Sequence, residues 1–217
     1  MLDERDFNKM LKLKRLKNQN TYQIMYDNCS QCCKHREDIL LTPYDIFRIC
    51  KFLKIGFGEF IVTYCETYIE SPSNLPVVRL RPSAVCRFLR HGKCQIHEVK
   101  PTVCTLYPLG RMASFNPESG ELQYFLRDDS CGTKDQENVE EDQLKKLDDD
   151  HEECLHIWHS MLNELNTWSQ NTAAADEEAI EMIAFVVFKK LYDGYDHSAE
   201  FLPQFKERLE TIKMFSE

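Results

Sequence analysis

Ten cysteines lie among the 217 residues of this chain, and their chemistry limits the folds open to it. Residues 1–6 carry mixed charge and lack the apolar segment of a secretory signal, so we expect a cytoplasmic protein. Disulfides seldom persist in that reducing compartment. The cysteines are therefore predicted to bind metal rather than to form a disulfide framework.

The length of the chain fits a single domain over residues 1–217, because domains commonly contain roughly 100–200 residues. No apolar segment approaches the ~18 residues that a membrane helix needs, so the sequence predicts no membrane span. The 27 basic and 36 acidic residues give a net charge of −9, which argues against binding to nucleic acid.

The charges are unevenly distributed along the chain. Residues 79–111 carry seven basic groups and one acid, Glu98, whereas residues 128–153 carry twelve acids and three lysines. The bland interpretation is a basic face beside an acidic face, both in solvent. The sharper interpretation is that the basic block balances buried thiolates or receives an anion. The seven basic residues are Arg79, Arg81, Arg87, Arg90, Lys93, Lys100 and Arg111.

Local signals predict helices before the middle of the chain. Thr42-Pro43 is typical of a helix start, with threonine as the N-cap, and this helix is expected to end near Leu53. A second helix is predicted after Gly58 and is expected to carry Cys65 on an apolar face.

The middle of the chain is predicted to form small antiparallel pieces. Residues 77–81 alternate like a strand. Residues 85–89 and 94–97 form one predicted hairpin, and residues 111–115 and 122–126 form another.

From Gln136 onward the pattern is again helical, and residues 136–217 are predicted to pack as helices on a cysteine-rich core over residues 26–132. The predicted fold is mostly α-helical, with small antiparallel β hairpins and an irregular cysteine-rich metal-binding core.

The first group of cysteines is Cys29-Ser30-Gln31-Cys32-Cys33. A Cys-x-x-Cys turn brings two thiolates close enough for one metal ion. The adjacent Cys33 is expected to point elsewhere, so it can bridge or reach a second metal.

The remaining candidates follow hairpin ends and turns. Cys86 and Cys94 close the two ends of the first predicted hairpin, and Cys104 lies in a turn or short helix begun by Pro101. Cys131 follows the second hairpin. By contrast, three cysteines are not predicted as ligands: Cys50 and Cys65 on apolar helix faces, where cysteine acts as a small hydrophobe, and Cys154 in a long charged helix.

These motifs resemble the YkgJ-type cysteine-cluster family. The resemblance is carried over residues 26–132 by Cys29-x-x-Cys32-Cys33, by Cys86-x7-Cys94 and by Lys100-Pro101-x-x-Cys104-x-x-Tyr107-Pro108. The family is described as a zinc- or iron-chelating domain and includes the flagellin lysine N-methylases. The resemblance implies that cysteines bind the metal, namely Cys29, Cys32, Cys33, Cys86, Cys94 and Cys104. Cys131 is a further candidate for this set.

The chain departs from the family pattern at two points. The first cysteine of Cys-x-x-Cys-x-x-Cys-Cys falls on Tyr26, and His97 stands where many relatives carry tyrosine. His97 or His35 can supply the missing ligand, although a surface or supporting role is favoured for both. Thiolate sets suit zinc and iron alike, and four thiolates complete either a zinc site or a [4Fe–4S] cluster. Seven candidates exceed one mononuclear site.

Two further pairs, His151-x-x-Cys154 and His156-x-x-His159, have a spacing at which helical side chains can bind metal. At about 100° per residue the pairs lie on different faces, so a solvated polar helix with incidental histidines is the favoured interpretation.

Three functions remain open from the sequence. The metal can be structural in a domain that binds an acidic or peptide partner. The chain can be an S-adenosylmethionine-dependent protein-lysine N-methylase, as the resemblance implies, with a protein substrate. It can also handle metal or sense redox state through labile thiolates.

Overall fold

The structure is a computed structural model that describes residues 14–15, 31–37, 39–70, 74–107, 109–113, 122–126, 147–158 and 177–213. The described helices are α1 Pro43–Leu53, α2 Phe57–Tyr64, α3 Thr102–Leu106, α4 over residues 149–158, α5 Glu177–Tyr192 and α6 Phe201–Lys213. The described strands are β1 Lys14–Arg15, β2 Lys34–Arg36, β3 Cys65–Glu70, β4 Leu75–Leu80, β5 Ser83–Val85, β6 Leu89–Arg90, β7 Lys93–Cys94, β8 Leu109–Ala113 and β9 Leu122–Leu126.

Helix α1 begins and ends as its sequence predicts. The Thr42 hydroxyl accepts a hydrogen bond from the Asp45 amide, and the Asp45 carboxylate accepts one from the Thr42 amide, which together form a capping box. Pro43 occupies the first turn, where its missing N–H costs nothing. The helix ends at Leu53, and Lys54 follows in the left-handed conformation.

The predicted helix after Gly58 is correct in kind but not in extent. Helix α2 begins at Phe57 and ends at Tyr64, and Cys65 is the first residue of strand β3, so the prediction that Cys65 lies on a helix is wrong. Strand β3 pairs with β4 antiparallel, from Cys65↔Leu80 to Glu70↔Leu75. Hydrogen bonding to this distant segment overrides the local helical pattern. Cys65 is nevertheless buried, as expected.

Helices α1, α5 and α6 and strand β4 enclose the hydrophobic core. Helix α5 packs against both β4 and α6, and α1 packs against α5. Phe201 is central, with its ring centroid 5.2 Å from that of Phe47 and 5.1 Å from that of Phe205. Each such buried aromatic side chain contributes roughly 1.5–3 kcal/mol through the area it removes from water. This core supports one edge of the β-rich region that carries the cysteines.

The β structure consists of small antiparallel sheets: a three-stranded one, β1-β9-β8, and the pairs β2-β5, β3-β4 and β6-β7. The two predicted hairpins appear as β6-β7 and β8-β9. Together with the helices they confirm the predicted mostly α-helical fold with small antiparallel hairpins. Within the described residues, no helix is both long enough and apolar enough to cross a membrane.

Helix α4 corrects the interpretation of the acidic C-terminal segment. His151, Cys154, Leu155 and Trp158 are all buried, so one face of this helix packs into the protein and His151 is not a solvated histidine. His156 is exposed, whereas His159 lies outside the described residues. The buried positions follow the i, i+3, i+4, i+7 spacing of a core-facing helix, a signal that the surrounding acids conceal.

Candidate metal centre

Three separate segments carry the described candidate ligands, and the pairing of β2 with β5 joins the first two. Lys34 lies opposite Val85 and Arg36 opposite Ser83 in this antiparallel pair. Just beyond its end, the Cys86 amide donates a hydrogen bond of 2.8 Å to the Cys33 carbonyl. The ladder therefore holds the Cys32-Cys33 step beside Cys86.

A tight hairpin sets the second segment. The Leu89 amide donates to the Cys86 carbonyl at 2.9 Å, and Cys94 lies opposite Leu89 in the β6-β7 pair. The connecting residues, His91 and Gly92, both have positive φ, at 49° and 73°. Such two-residue loops match the right-handed twist of the strands they join. The turn brings Cys86 and Cys94 back toward each other, as their spacing predicts.

Buried polar contacts fix the third segment, which carries Cys104. Asp45 of α1 accepts hydrogen bonds from the Thr102 amide at 2.8 Å and from the Thr102 hydroxyl at 2.7 Å. Arg48, one turn further along α1, donates to the Lys100 carbonyl at 3.2 Å. Helix α3, with Cys104 at its centre, is thus attached at its first turn to helix α1.

The five described candidates act on one another electrostatically, and we call them the cysteine cluster: Cys32, Cys33, Cys86, Cys94 and Cys104. Burial raises the pKa of Cys104, Arg36 opposes this, and negative charge on the neighbouring Cys86, Cys32 or Cys94 raises it further. Burial also raises the pKa of Cys94, and negative charge on Cys86 or Cys32 adds to the effect. A thiolate at one of these positions therefore disfavours thiolates at the others, and a bound cation removes this repulsion.

Cys32 and Cys33 form a hydrogen-bonded pair. The Cys33 thiol donates to Cys32, and this contact lowers the pKa of Cys32 to about 6, with burial opposing and the charges of Arg36 and Lys100 assisting. The same contact raises the pKa of Cys33. The Cys33 thiol therefore lies beside Cys32. The metal turn from which Cys33 is expected to point away also needs Cys29, which lies outside the described residues, so this expectation stays a prediction.

The other residues that the sequence analysis singled out fall into three groups. Cys29, Cys131 and Tyr26 lie outside the described residues, as does the side chain of His35. Three cysteines that were not predicted as ligands lie in the hydrophobic core: Cys50, Cys65 and Cys154. Burial raises the pKa of Cys50, and that of Cys65, to about 12. His97 is exposed, in agreement with a surface role.

The cysteine cluster suits a thiophilic metal in its chemistry. All eight cysteines that the structure describes are free of disulfides, and five of them, on three segments, lie near enough to affect one another's pKa. Among the described side chains, no three of His, Cys, Asp or Glu stand at metal-coordinating positions, so the described thiols are gathered but not assembled into a coordination shell. Soft thiolate donors are those that zinc and iron–sulfur centres use.

Sequence reasoning missed the buried charge that supports this site. Asp45 is fully buried and lies 3.2 Å from the Arg48 guanidinium and 3.9 Å from Nε2 of His151. Burial alone would raise the pKa of Asp45, but His151, Arg48 and hydrogen bonds from Thr42 and Thr102 together lower it to about 2. The sequence around Asp45 indicates a helix cap, but it does not indicate that Thr102 and His151, which lie far along the chain, contact the same carboxylate.

Comparison with known proteins bears on the same region. A family model with the description "CxxCxxCC: Putative zinc- or iron-chelating domain" matches residues 26–154, which is more than half of the chain. The matched range includes every described member of the cysteine cluster and extends into α4. No curated protein and no solved structure matches the chain.

Proposed function

We propose, since the chain belongs to the CxxCxxCC family of zinc- or iron-chelating domains, that its cysteine cluster holds the metal ion. The supporting observation is the convergence of five thiols from three segments that are fixed by β2-β5, by the β6-β7 hairpin and by the Asp45–Thr102 contacts. Cys29 and Cys131 are the further proposed ligands, because the motif Cys29-x-x-Cys32 and the resemblance include them.

The proposed metal is zinc or iron, with a [4Fe–4S] cluster as one form of the iron. Four thiolates complete either centre, and the metal displaces the protons that Cys33, Cys94 and Cys104 retain in its absence. Bound metal supplies the cation that relieves repulsion among these thiolates. The proposal assigns the chain to the cytoplasm, because thiols remain reduced there.

A labile site for metal handling or redox sensing is the second candidate, and the Cys32-Cys33 pair favours it. Cys32 is only half-buried, and its contact with Cys33 lowers the pKa of its thiol, which favours the thiolate form. Accessible low-pKa thiolates are the cysteines that react with oxidants. Reversible loss of metal on mild oxidation is the expected behaviour of a labile site, whereas a structural site retains its metal.

An S-adenosylmethionine-dependent protein-lysine N-methylase is the third candidate, supported by the resemblance to the flagellin lysine N-methylases. Its test is thermal stabilisation of the full chain by S-adenosylmethionine. A ligand present at 100 times its Kd stabilises the native state by roughly 2.7 kcal/mol. A melting temperature that is unchanged by millimolar S-adenosylmethionine excludes this candidate.

Elemental analysis with an absorption spectrum, on protein purified without oxygen, tests the proposal directly. Stoichiometric zinc without visible absorbance identifies a zinc site. Iron with inorganic sulfide and a broad band near ~400 nm identifies an iron–sulfur centre. Protein that contains neither metal and takes up neither zinc nor iron on reconstitution contradicts the proposal.

Matched cysteine variants test which thiols are ligands. Cys32→Ser removes a proposed ligand, so we expect loss of most of the bound metal. Cys50→Ala is the control, because Cys50 is buried in the hydrophobic core. We expect this variant to keep its metal content. Equal metal loss in both variants would mean that the ligand assignment is wrong.

A further inference from the structure

An open pocket lies beside the cysteine cluster and is rimmed by three arginines. Its cavity volume is small, about 20 Å³, and it opens to solvent. Cys33 and Cys86 form part of its wall, together with Arg36, Arg81 and Arg87. Arg81 and Arg87 belong to the basic block of residues 79–111, and Arg36 comes from strand β2. All three line this one small space.

Two of these guanidinium groups are held in position by the end of helix α2. Arg81 donates to the Val62 carbonyl at 3.0 Å and to the Cys65 carbonyl at 2.9 Å. Arg87 donates to the Thr63 carbonyl at 3.0 Å. These carbonyls belong to the last turn of the helix and the residue after it, where main-chain acceptors lack helical partners. The contacts fix both side chains before any ligand arrives, which lowers the entropic cost of binding.

The same two arginines retain donors for a ligand. A guanidinium carries five N–H groups, and the described hydrogen bonds use one nitrogen atom of Arg81 and one of Arg87. Within the described part of the chain, neither of them has a carboxylate partner. Arg79 of the same basic block differs, since it is paired with Glu66. Arg81 and Arg87 therefore present positive charge that no described side chain neutralises.

We propose that this pocket binds a small oxyanion, a carboxylate or a phosphate, through Arg81 and Arg87 with the charge of Arg36 beside it. Planar guanidinium groups bind such anions through paired, charge-assisted hydrogen bonds. Because the cavity is small and opens to solvent, it can receive one anionic group, which belongs either to a small molecule or to a side chain or terminus of a larger ligand. The inference goes beyond metal binding, because the guanidinium groups of Arg81 and Arg87 are hydrogen-bond donors for an anion and cannot be metal ligands.

Calorimetric titration of the whole 217-residue chain, with whatever metal it carries after purification, tests this site with inorganic phosphate and with succinate as separate probes. Chloride keeps the ionic strength constant, so that general screening does not change. We expect saturable binding of one anion per chain for at least one probe. The probe that binds more tightly identifies the headgroup as phosphate or carboxylate. Failure of both to bind overturns the proposal.

A pair of arginine variants assigns the binding to this pocket. Arg87→Gln removes a pocket guanidinium that is exposed and makes a single described hydrogen bond, and we expect affinity for the anion to fall roughly tenfold. Arg90→Gln is the control, because Arg90 is exposed in the same basic block but does not line the pocket. An equal loss in both variants would indicate general charge attraction and would overturn the proposal.

Metal content, measured in the same samples, separates this inference from the proposed function. Arg87→Gln is expected to keep its metal and its melting temperature while losing the anion. If Arg87→Gln loses metal and the parent protein binds no anion, the arginines serve only to neutralise the thiolates, and the anion site is refuted while metal binding stands. If the parent protein binds the anion but no metal, the anion site stands and the proposed function fails.

Discussion

At the scale of single residues, Asp45 connects the hydrophobic core to the metal centre. Its carboxylate caps helix α1 through Thr42 and also accepts two hydrogen bonds from Thr102, two positions before Cys104. A buried carboxylate with this many donors is stable only while all of them remain in place, because unpaired buried charge is costly. Asp45 therefore fixes the position of the proposed ligand Cys104 relative to helix α1.

Replacing Asp45 with asparagine is expected to destabilise the protein by about 2–4 kcal/mol at pH 7, because asparagine is uncharged and has one acceptor oxygen where aspartate has two. If its oxygen keeps the bonds from Thr102 and Arg48, its NH2 group faces the Thr42 amide, and two donors then lack an acceptor. Urea unfolding measures this difference. The control is Asp149→Asn on the exposed side of α4, for which we expect a change within about 0.5 kcal/mol. Equal effects of the two substitutions would mean that Asp45 contributes no more to stability than an exposed aspartate does.

The acid stability of the parent protein is expected to depend on the same carboxylate. Its pKa is lowered from 3.8 to about 2 in the folded protein, so its charge stabilises the fold above pH 4. As the pH falls from about 4 to 2, the carboxylate becomes protonated and about 2 kcal/mol of stability is lost. The difference in unfolding free energy between the parent and Asp45→Asn should shrink over this range. A difference that stays constant with pH contradicts this account.

At the scale of elements, the β6-β7 hairpin sets the distance between Cys86 and Cys94. Its two connecting residues adopt positive φ, which glycine tolerates and residues with a Cβ resist. The hairpin was predictable because Arg90-His91-Gly92-Lys93 is a short turn sequence between apolar segments. Its strands are only two residues long, so the turn largely determines how the two strands are placed relative to each other.

Substitution of Gly92 by alanine should destabilise the protein by about 1 kcal/mol, since the added Cβ meets no atom within 4 Å but must adopt the left-handed conformation. The expected fall in melting temperature is roughly 2–4 °C for a chain of this size. Gly58→Ala is the matched control, because Gly58 lies within helix α2 with equal space around its Cβ position. There alanine should be neutral or stabilising. Equal falls in both variants would contradict the role of the turn.

At the scale of the whole molecule, the proposed metal ties together three segments that are attached to the rest of the protein separately. Helix α1 supports the Cys104 segment, and Phe88 and Ile96 anchor the hairpin in the core, whereas the Cys32-Cys33 step is held by the short β2-β5 pair. Short two-stranded pairs are marginal by themselves. A metal bound across the three segments would supply the missing stability.

Removal of the metal is accordingly expected to lower the melting temperature of the full chain by roughly 5–10 °C, which corresponds to a few kcal/mol. Differential scanning measurements with and without a strong chelator give this value. Cys50→Ala protein should show the same fall, because its metal site is intact. A melting temperature that the chelator leaves unchanged would mean that the metal does not support the fold.

The sequence by itself determined the features that depend on neighbouring residues. The capping box of α1, the hairpin turns and the spacing of the cysteines each act over a few positions, so they can be recognised along the chain. Only the tertiary structure decided the rest: Cys65 lies in a strand because β4 pairs with it, and His151 is buried because α4 packs inward. The contacts of Asp45 with Thr102 and the pocket of Arg81 and Arg87 likewise join distant segments. Such contacts depend on hydrogen-bond partners and burial that no local pattern encodes.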